Sequence, residues 1–275
     1  MSLNQIQGRL ALITGASGGI GAACAHQLAQ HGVHLALTYS TNLTSMNTIV
    51  ADIQSRNTDQ KLRISIHQVD VGSSDQIGAM FQQIDAEHGQ RPDILVSNAG
   101  YGKRIPDVSD ISLEEFDFTI NINLRASFIL VKGAVGHMKA QKWGRIIFMS
   151  SIAAQGGGIN GCRELLHFFA SVKNLSQYLT FRLVLDYAAS KGGLTGMMKN
   201  LSTRLAEYNI SVNDVAPAMI GDTGMLSSAA AFPEVAASVP LKRLGTPEEA
   251  ANVVTMLAKT GYMTGQTLLL AGGLK

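Results

Sequence analysis

Short apolar runs alternate along the chain with stretches in which apolar residues recur every three or four positions. The runs predict seven strands, at 10–14, 34–39, 63–69, 94–97, 144–149, 211–215 and 267–270, with helices between them. Strand-length runs rich in Val, Ile and Leu that alternate with helices are typical of a parallel sheet covered on both faces. The pattern therefore predicts an α/β fold.

Two helix boundaries carry local signals. The helix predicted at 20–30 keeps one apolar face and stops before Gly32, a residue suited to a C-terminal cap. Near the end of the chain, Thr246 is the predicted N-cap, Pro247 takes the first helical position and Glu249 completes a capping box. No linker or repeat interrupts the pattern, so we predict a single domain over residues 1–275.

Composition argues against several classes of function. The chain has 275 residues, 46% of them hydrophobic, and a formal net charge of +2 with its charges scattered, which predicts no nucleic-acid partner. Two cysteines are too few for a disulfide framework, and the first residues resemble neither a signal peptide nor a membrane span, so we expect a cytoplasmic protein. The histidines lack partners at metal-ligand spacing, and we predict no metal.

The segment "LALITGASGGIG" places a glycine-rich turn between a buried strand and a helix. Gly15 permits the tight turn, Gly19 lets the backbone approach a pyrophosphate, and Gly21 lets helix and sheet pack closely. The segment therefore predicts a dinucleotide site. Residues 15–19 also match the GxSxG elbow of serine hydrolases, with Ser17 as nucleophile. That elbow needs oxyanion donors from a loop after an earlier strand, and only residues 1–9 precede this one.

The end of the second strand indicates which dinucleotide is bound. An NAD site would normally carry an acid here for the ribose 2′-hydroxyl, but the first acid after this strand is Asp52. Ser40, Thr41 and Asn42 offer hydrogen-bond donors to a 2′-phosphate, although no Arg or Lys occupies position 18 or positions 40–42. We therefore predict NADP, with NAD as the less favoured cofactor.

Six motifs follow one another along the chain: "TGASGGIG" at 14–21, "DV" at 70–71, "NAG" at 98–100, "NINL" at 121–124, "MSS" at 149–151 and "YAASK" at 187–191. With them the chain resembles the classical short-chain dehydrogenases/reductases nearly end to end, and especially their bacterial-type 3-oxoacyl-[acyl-carrier-protein] reductases of fatty acid metabolism. The resemblance implies a Rossmann-type, doubly wound sheet. It also implies an NAD(P)-dependent oxidoreductase that forms a homotetramer or homodimer through helices near 123–141 and 188–207.

Carried over residue by residue, the resemblance makes Asn123, Ser151, Tyr187 and Lys191 the catalytic set. It implies a cofactor site built from the glycine-rich turn, the strand ends, the catalytic pair and the loop after the sixth strand: Gly15, Ser17, Gly18, Gly19, Ile20, Gly21, Tyr39, Ser40, Thr41, Asp70, Val71, Asn98, Ala99, Gly100, Tyr187, Lys191, Pro217, Ala218, Ile220 and Thr223. Ala218 stands where the family's pattern has a glycine.

The implied chemistry is reduction of a 3-oxoacyl-thioester-like carbonyl, with a polyol, sugar or secondary-alcohol dehydrogenase as the alternative. Hydride delivery to a ketone leaves an alkoxide, so a proton donor must lie close to the carbonyl oxygen, and Tyr187 is the expected donor. Lys191, one helical turn on, is expected to lower the pKa of the phenol by about 3 units and to reach the nicotinamide ribose. Ser151 would hydrogen-bond the substrate oxygen, and Asn123 would keep a water in the proton relay.

The spacing between Ser151 and Tyr187 departs from the family. The two lie 187 − 151 = 36 positions apart, against roughly 13 in the family, so about 23 residues are extra. Apolar residues at helical spacing in the segment 163–186 predict an amphipathic helix, which would act as a lid, a docking helix or extra packed surface. Within it, Tyr178 and Arg182 repeat the catalytic spacing, but arginine cannot share protons as lysine does.

Our hypothesis for this segment is a retained intron that stays in frame. Residues 163–165 can be encoded with a splice-donor pattern and residues 185–186 with an acceptor, and joining the halves replaces 186 − 163 + 1 = 24 codons by one histidine codon. An Arg163 codon of AGA or AGG, or transcripts that all keep the segment, would exclude the hypothesis. We expect the chain with the segment to bind cofactor but to reduce ketones poorly, because large apolar side chains are added beside the cleft.

Overall fold

The strands form one parallel sheet of seven. The computed structural model describes residues 3–103, 105, 107–156, 185–226 and 233–274. The strand order is β3-β2-β1-β4-β5-β6-β7, and every neighbouring pair is parallel. The strands are β1 Leu10–Ile13, β2 His34–Tyr39, β3 Ile64–Gln68, β4 Ile94–Ser97, β5 Gly144–Met149, β6 Ile210–Pro217 and β7 Thr267–Leu270. The predicted doubly wound, Rossmann-type sheet is confirmed, and each predicted strand end lies within two residues of the observed one.

Helices cover both faces of this sheet. Numbered along the described residues, they are α1 Gly19–Gln30, α2 Leu43–Arg56, α3 Ser74–His88, α4 Leu113–Ile120, α5 Ala126–Gln141, α6 Ala153–Gly156, α7 Leu185–Leu205, α8 Pro233–Ser238 and α9 Pro247–Lys259. Both predicted boundary signals are confirmed. Gly32 has a φ of +72° just after α1, and α9 begins with the capping box of Thr246 and Glu249.

The core lies in two layers, one on each face of the sheet. One layer joins α1 and α9 to the strands, and the other joins α3, α5 and α7 to them. All residues of the central strands β1, β4 and β5 are buried, as expected where helices cover both faces. Because both faces are covered, the carboxyl edge of the sheet is where a ligand can approach the strand ends.

A π-helical turn, Asn121–Arg125, joins α4 to α5 without a break. Such turns are often found at functional sites because the extra residue redirects the side chains around it. Asn123 lies in this turn and is buried, with 1% of its surface exposed. The turn therefore fixes one predicted catalytic residue inside the protein.

Most of the predicted extra segment lies outside the described residues. Only Leu185 and Asp186 are described, and they begin α7. The amphipathic helix predicted at 163–186 and the Tyr178–Arg182 pair lie outside with the rest. In the part of the chain that is described, every helix is too short or too polar to cross a membrane.

Candidate active site

A cleft of about 720 Å³ opens at the carboxyl edge of the sheet, within the size range of small-molecule sites. Its lining includes most of the residues predicted for the site: Gly15, Ser17, Gly18, Gly19, Ile20, Tyr39, Ser40, Asp70, Val71, Asn98, Ala99, Gly100, Ser151, Tyr187, Lys191, Pro217, Ala218, Ile220 and Thr223. Gly21, Thr41 and Asn123 do not line it. The fold thus brings together residues spread over more than two hundred positions of the chain.

The glycine-rich turn after β1 fits a dinucleotide. Gly15 and Gly19 have φ values of +63° and +47°, which side chains rarely adopt. A Cβ on Gly21 would lie 2.3 Å from the Gly15 carbonyl oxygen, so this glycine lets α1 approach the turn. Gly18 is the N-cap of α1 and, as a glycine, has no side chain to cap the helix. The first backbone amides of the helix therefore receive no side-chain hydrogen bond from the N-cap, at the place where a pyrophosphate would bind.

Asn98 connects the turn to the loop after β4. Its Nδ2 donates to the carbonyl oxygens of Thr14 and Gly15, at 2.9 and 3.3 Å. Its backbone amide donates to the Thr14 hydroxyl at 3.0 Å. The side chain therefore fixes the glycine-rich turn, and it does so while lining the cleft.

Ser151, Tyr187 and Lys191 line the same cleft as the glycine-rich turn and lie close to one another. The Ser151 hydroxyl is a hydrogen-bonding neighbour of the Tyr187 phenol. Lys191 Nζ lies 5.5 Å from the centroid of the Tyr187 ring and donates to the Met149 carbonyl oxygen at 2.7 Å. A Cβ on Gly102 would lie 3.1 Å from the ring, so the loop after β4 packs directly on the phenol.

Asp186 anchors the start of α7 next to Tyr187, the predicted catalytic tyrosine. Its Oδ2 accepts from the Thr119 hydroxyl of α4 at 2.7 Å, and its Oδ1 accepts from the Tyr187 amide at 2.8 Å. Asp186 is 1% exposed. Thus a residue of the extra segment holds Tyr187 against α4.

Asn123 connects the loop after β4 to α7 through its side chain. Its Oδ1 accepts from the Tyr101 amide at 2.8 Å. Its Nδ2 donates to the Tyr101 carbonyl oxygen and to the Ser190 hydroxyl, both at 2.9 Å. The side chain is thus held by the protein scaffold behind the lining of the cleft, and the predicted role with a relay water stays a prediction.

Comparison with known proteins assigns the chain to a family. A family model described as short chain dehydrogenase matches residues 9–163, and one described as enoyl-(acyl carrier protein) reductase matches residues 170–275. A 3-oxoacyl-[acyl-carrier-protein] reductase of Rickettsia bellii is 34% identical over 98% of this chain and 98% of its own length. The chain belongs to the short-chain dehydrogenase/reductase family. The predicted resemblance is therefore confirmed. The match to the first family model ends, and the match to the second begins, inside the segment 163–186 that we predict to be extra.

Solved structures of the short-chain dehydrogenase/reductase family share this fold. A mutant short-chain dehydrogenase/reductase of Serratia marcescens is 26% identical, with a TM-score of 0.80 over 98% of this chain and 99% of its own. A dehydrogenase/reductase of Sinorhizobium meliloti is 27% identical, with a TM-score of 0.77 over 99% and 98%. A further relative is known here from sequence similarity. Bos taurus dehydrogenase/reductase SDR family member 4 is 30% identical over 98% of this chain and 88% of its own length. The chain is thus an oxidoreductase of this family.

Electrostatics correct one prediction about the short-chain dehydrogenase/reductase site. We predicted that Lys191 lowers the pKa of Tyr187, but burial raises the pKa of this phenol, and the hydrogen bond with Ser151 offsets only part of the effect. Burial also lowers the pKa of Lys191 to about 8, against an opposing contribution from Asp214. The predicted net lowering was wrong because helical spacing does not report burial, which dominates this pKa. The ammonium donates to the Met149 carbonyl oxygen, and its stabilisation of the phenolate stays a prediction.

Sequence reasoning missed Tyr101, Phe118 and Ile152 in the lining of the cleft. With Met219, Met225 and Leu226 of the loop after the sixth strand, they give the described lining a largely apolar wall. The rings of Tyr101 and Phe118 meet edge to face, with centroids 4.9 Å apart. Tyr101 directly follows the "NAG" motif, which was a usable signal, whereas Phe118 on α4 carried none.

Proposed function

We propose that the chain is an NADP(H)-dependent carbonyl reductase of the 3-oxoacyl-thioester type. The observation that carries the proposal is the meeting of Ser151, Tyr187 and Lys191 in the same cleft as the glycine-rich turn. This arrangement exists although Ser151 and Tyr187 lie 187 − 151 = 36 positions apart. A serine hydrolase is not supported, because none of the described residues that line the cleft with Ser17 is a histidine that could act as its base.

Each residue of the set has a defined role in the proposal. A bound nicotinamide supplies the hydride, while the protein holds the substrate and delivers the proton. The hydroxyls of Ser151 and Tyr187 bind the carbonyl oxygen, and Tyr187 donates the proton as negative charge develops on that oxygen. Lys191 places a buried ammonium beside the phenol and stabilises the phenolate that remains.

The apolar wall supports an acyl substrate over a polyol. A sugar or polyol needs several hydrogen-bonding partners when it is buried, and the described wall offers mainly aromatic, Met and Leu side chains. An acyl chain would fill the same space favourably. The polyol, sugar or secondary-alcohol dehydrogenase remains the second candidate, favoured only if the polar ends of the cleft bind the substrate.

The proposal is tested by the oxidation of NADPH in the presence of an acetoacetyl thioester. We expect consumption of NADPH with this substrate and much slower consumption with a sugar ketone of similar size. A titration that follows NADPH and NADH fluorescence measures the cofactor preference without a substrate. The protein could then fail as a reductase and still be identified as a cofactor-binding member of the family.

Replacement of Gly18 by arginine is expected to strengthen NADPH binding about tenfold, because a guanidinium pairs well with a 2′-phosphate. Gly18 has φ −164° and ψ 161°, an extended conformation open to any residue, and a Cβ there would meet no atom within 4 Å. The dissociation constants of NADPH and NADH measure the effect. Gly18→Ala is the matched control without charge, and an equal gain for NADH in Gly18→Arg would contradict the NADP site.

Removal of the extra segment is expected to raise ketone turnover at least about tenfold, a change of roughly 1.4 kcal/mol in the barrier. Two variants of equal length test this: one replaces residues 163–186 by a single histidine, and the other deletes 163–185 and keeps Asp186. Equal turnover of the full chain and both variants would refute the impaired-isoform hypothesis. A faster rate only in the variant that keeps Asp186 would assign the difference to its bonds with Thr119 and the Tyr187 amide.

We also propose a homo-oligomer, tetramer or dimer, that uses α5 and α7. The family resemblance carries this proposal, and Phe128 on α5, 53% exposed, is an apolar side chain that such an interface would cover. The cytoplasmic location stays a prediction from composition.

A further inference from the structure

A carboxylate lies inside the sheet where the proposed mechanism assigns it no role. Asp214 is on β6 and is 0% exposed. Its Oδ2 accepts from the Thr195 hydroxyl at 2.8 Å, whereas its Oδ1 has no hydrogen-bond partner among the described residues. Burial of a charged carboxylate with so few hydrogen bonds costs free energy. The charge of Asp214 is therefore not explained by the stability of the fold.

Hydrogen bonds connect Asp214 to the catalytic end of the cleft. Thr195 is one turn after Lys191 on α7, and its hydroxyl oxygen lies 3.4 Å from that of Ser150. The Ser150 hydroxyl also donates to the Lys191 carbonyl oxygen at 3.4 Å. Ser150 lines the cleft and precedes Ser151. One short path therefore joins the buried carboxylate to the helix turn that carries Lys191.

The charges that face Asp214 are two ammonium groups of α7. Burial raises the pKa of Asp214, while Thr195, Thr267, Lys199 and Lys191 all act in the opposite direction. Thr267 is in register with Asp214 on β7, and its hydroxyl lowers the pKa of the carboxylate as a weak hydrogen-bond donor, although the two groups form no close hydrogen bond. Lys199 is exposed, so water screens it, and Lys191 is the buried partner that gains most from a negative charge.

We propose that Asp214 is a positioning residue that keeps the Lys191 ammonium charged and, through Thr195, holds its helix turn beside Ser150. The inference rests on the proposed reductase function, in which Lys191 must carry its charge to stabilise the Tyr187 phenolate. Because Lys191 is 3% exposed, water cannot supply this stabilisation. Asp214 is the carboxylate that raises the pKa of Lys191 against the effect of burial, so it extends the pH range over which the lysine stays charged.

The test uses Asp214→Asn, which keeps shape and an acceptor for Thr195, and Thr195→Val, which breaks the hydrogen bond but leaves the charge. Asp214→Asn is expected to move the alkaline limb of the kcat/KM profile for ketone reduction about one unit to lower pH. Thr195→Val is expected to leave this limb in place. If both variants shift the limb equally, helix position and not charge is the cause. If neither shifts it, Asp214 is only structural.

A double-mutant cycle tests the coupling without any activity. The free energies of unfolding of the wild type, Asp214→Asn, Lys191→Met and the double variant are compared near neutral pH and at about pH 10, above the pKa of about 8 of native Lys191. An interaction free energy between Asp214 and Lys191 is expected near neutral pH. It is expected to vanish at about pH 10, where native Lys191 is neutral. Coupling that is absent, or unchanged with pH, overturns the inference. If the coupling is found but the wild type reduces no ketone, the proposed function fails while the charge pair stands.

Discussion

Replacing Tyr187 by phenylalanine is expected to lower kcat for ketone reduction by about 10²–10⁴, the usual contribution of a positioned general acid. The phenol is 8% exposed and packs against Gly102, so the phenylalanine ring fills the same space. Its hydroxyl partner, Ser151, keeps a second contact with the Ala153 amide at 3.2 Å. The loss is therefore a loss of chemistry, and the measurement is steady-state reduction together with NADPH affinity, which should stay close to that of the wild type.

Tyr101→Phe is the matched comparison, because Tyr101 is another phenol in the same cleft. Its pKa is also raised, by burial and by the nearby Glu115. Both substitutions are made in the full chain and in the chain without residues 163–186, so that a slow parent does not hide the effect. A large loss for Tyr101→Phe and none for Tyr187→Phe would mean that the wrong proton donor has been assigned.

The strands were predictable because their environment is uniform along each one. In β4, all four residues are buried, so a continuous apolar run is the pattern that the sequence must carry. β3 lies at an edge and alternates buried with less buried residues, and its predicted ends differ from the observed ones by one residue. The two helix boundaries that carry capping residues, Gly32 and Thr246, were also predictable from the sequence.

The meeting of the motifs was predictable from topology, but the details of the site were not. Parallel strands end at one edge, so residues after β1, β4, β5 and β6 had to meet there. The π-helical turn around Asn123 has no such signal, because one extra residue in a hydrogen-bonding ring leaves the apolar pattern almost unchanged. The same holds for Phe118, whose place in the cleft depends on how α4 packs.

The burial of Tyr187 and Lys191 was not predictable from the sequence. The i,i+4 spacing of Tyr187 and Lys191 predicts that they share a helix face, and it does not predict that both are nearly inaccessible to water. Asp214 did carry a signal, because a carboxylate in a strand predicted to be buried is rare unless it is paired. Its partner on α7 depended on tertiary structure.

Replacing Lys191 by methionine is expected to remove ketone reduction and to relieve the fold, below about pH 8, of the cost of a buried charge. Burial lowers the pKa of Lys191 from 10.5 to about 8, which corresponds to about 3 kcal/mol that the charged form costs the native state. Between those two values the unfolded lysine holds a proton that the native one has lost, so the stability of the wild type rises with pH. The cost is therefore fully present below about pH 8 and is lost by about pH 10.5.

The measurement is the free energy of unfolding of Lys191→Met minus that of the wild type, as a function of pH. Loss of the bond from Lys191 to the Met149 carbonyl oxygen takes away about 1–3 kcal/mol at every pH, so the sign of the difference at one pH proves little. Its fall by about 3 kcal/mol as the pH rises through that window is the decisive result. Lys199→Met, exposed on the same helix, should give a flat difference. A flat difference for Lys191→Met as well would mean that water reaches the ammonium, and the buried charge on which the proposed mechanism depends would not exist.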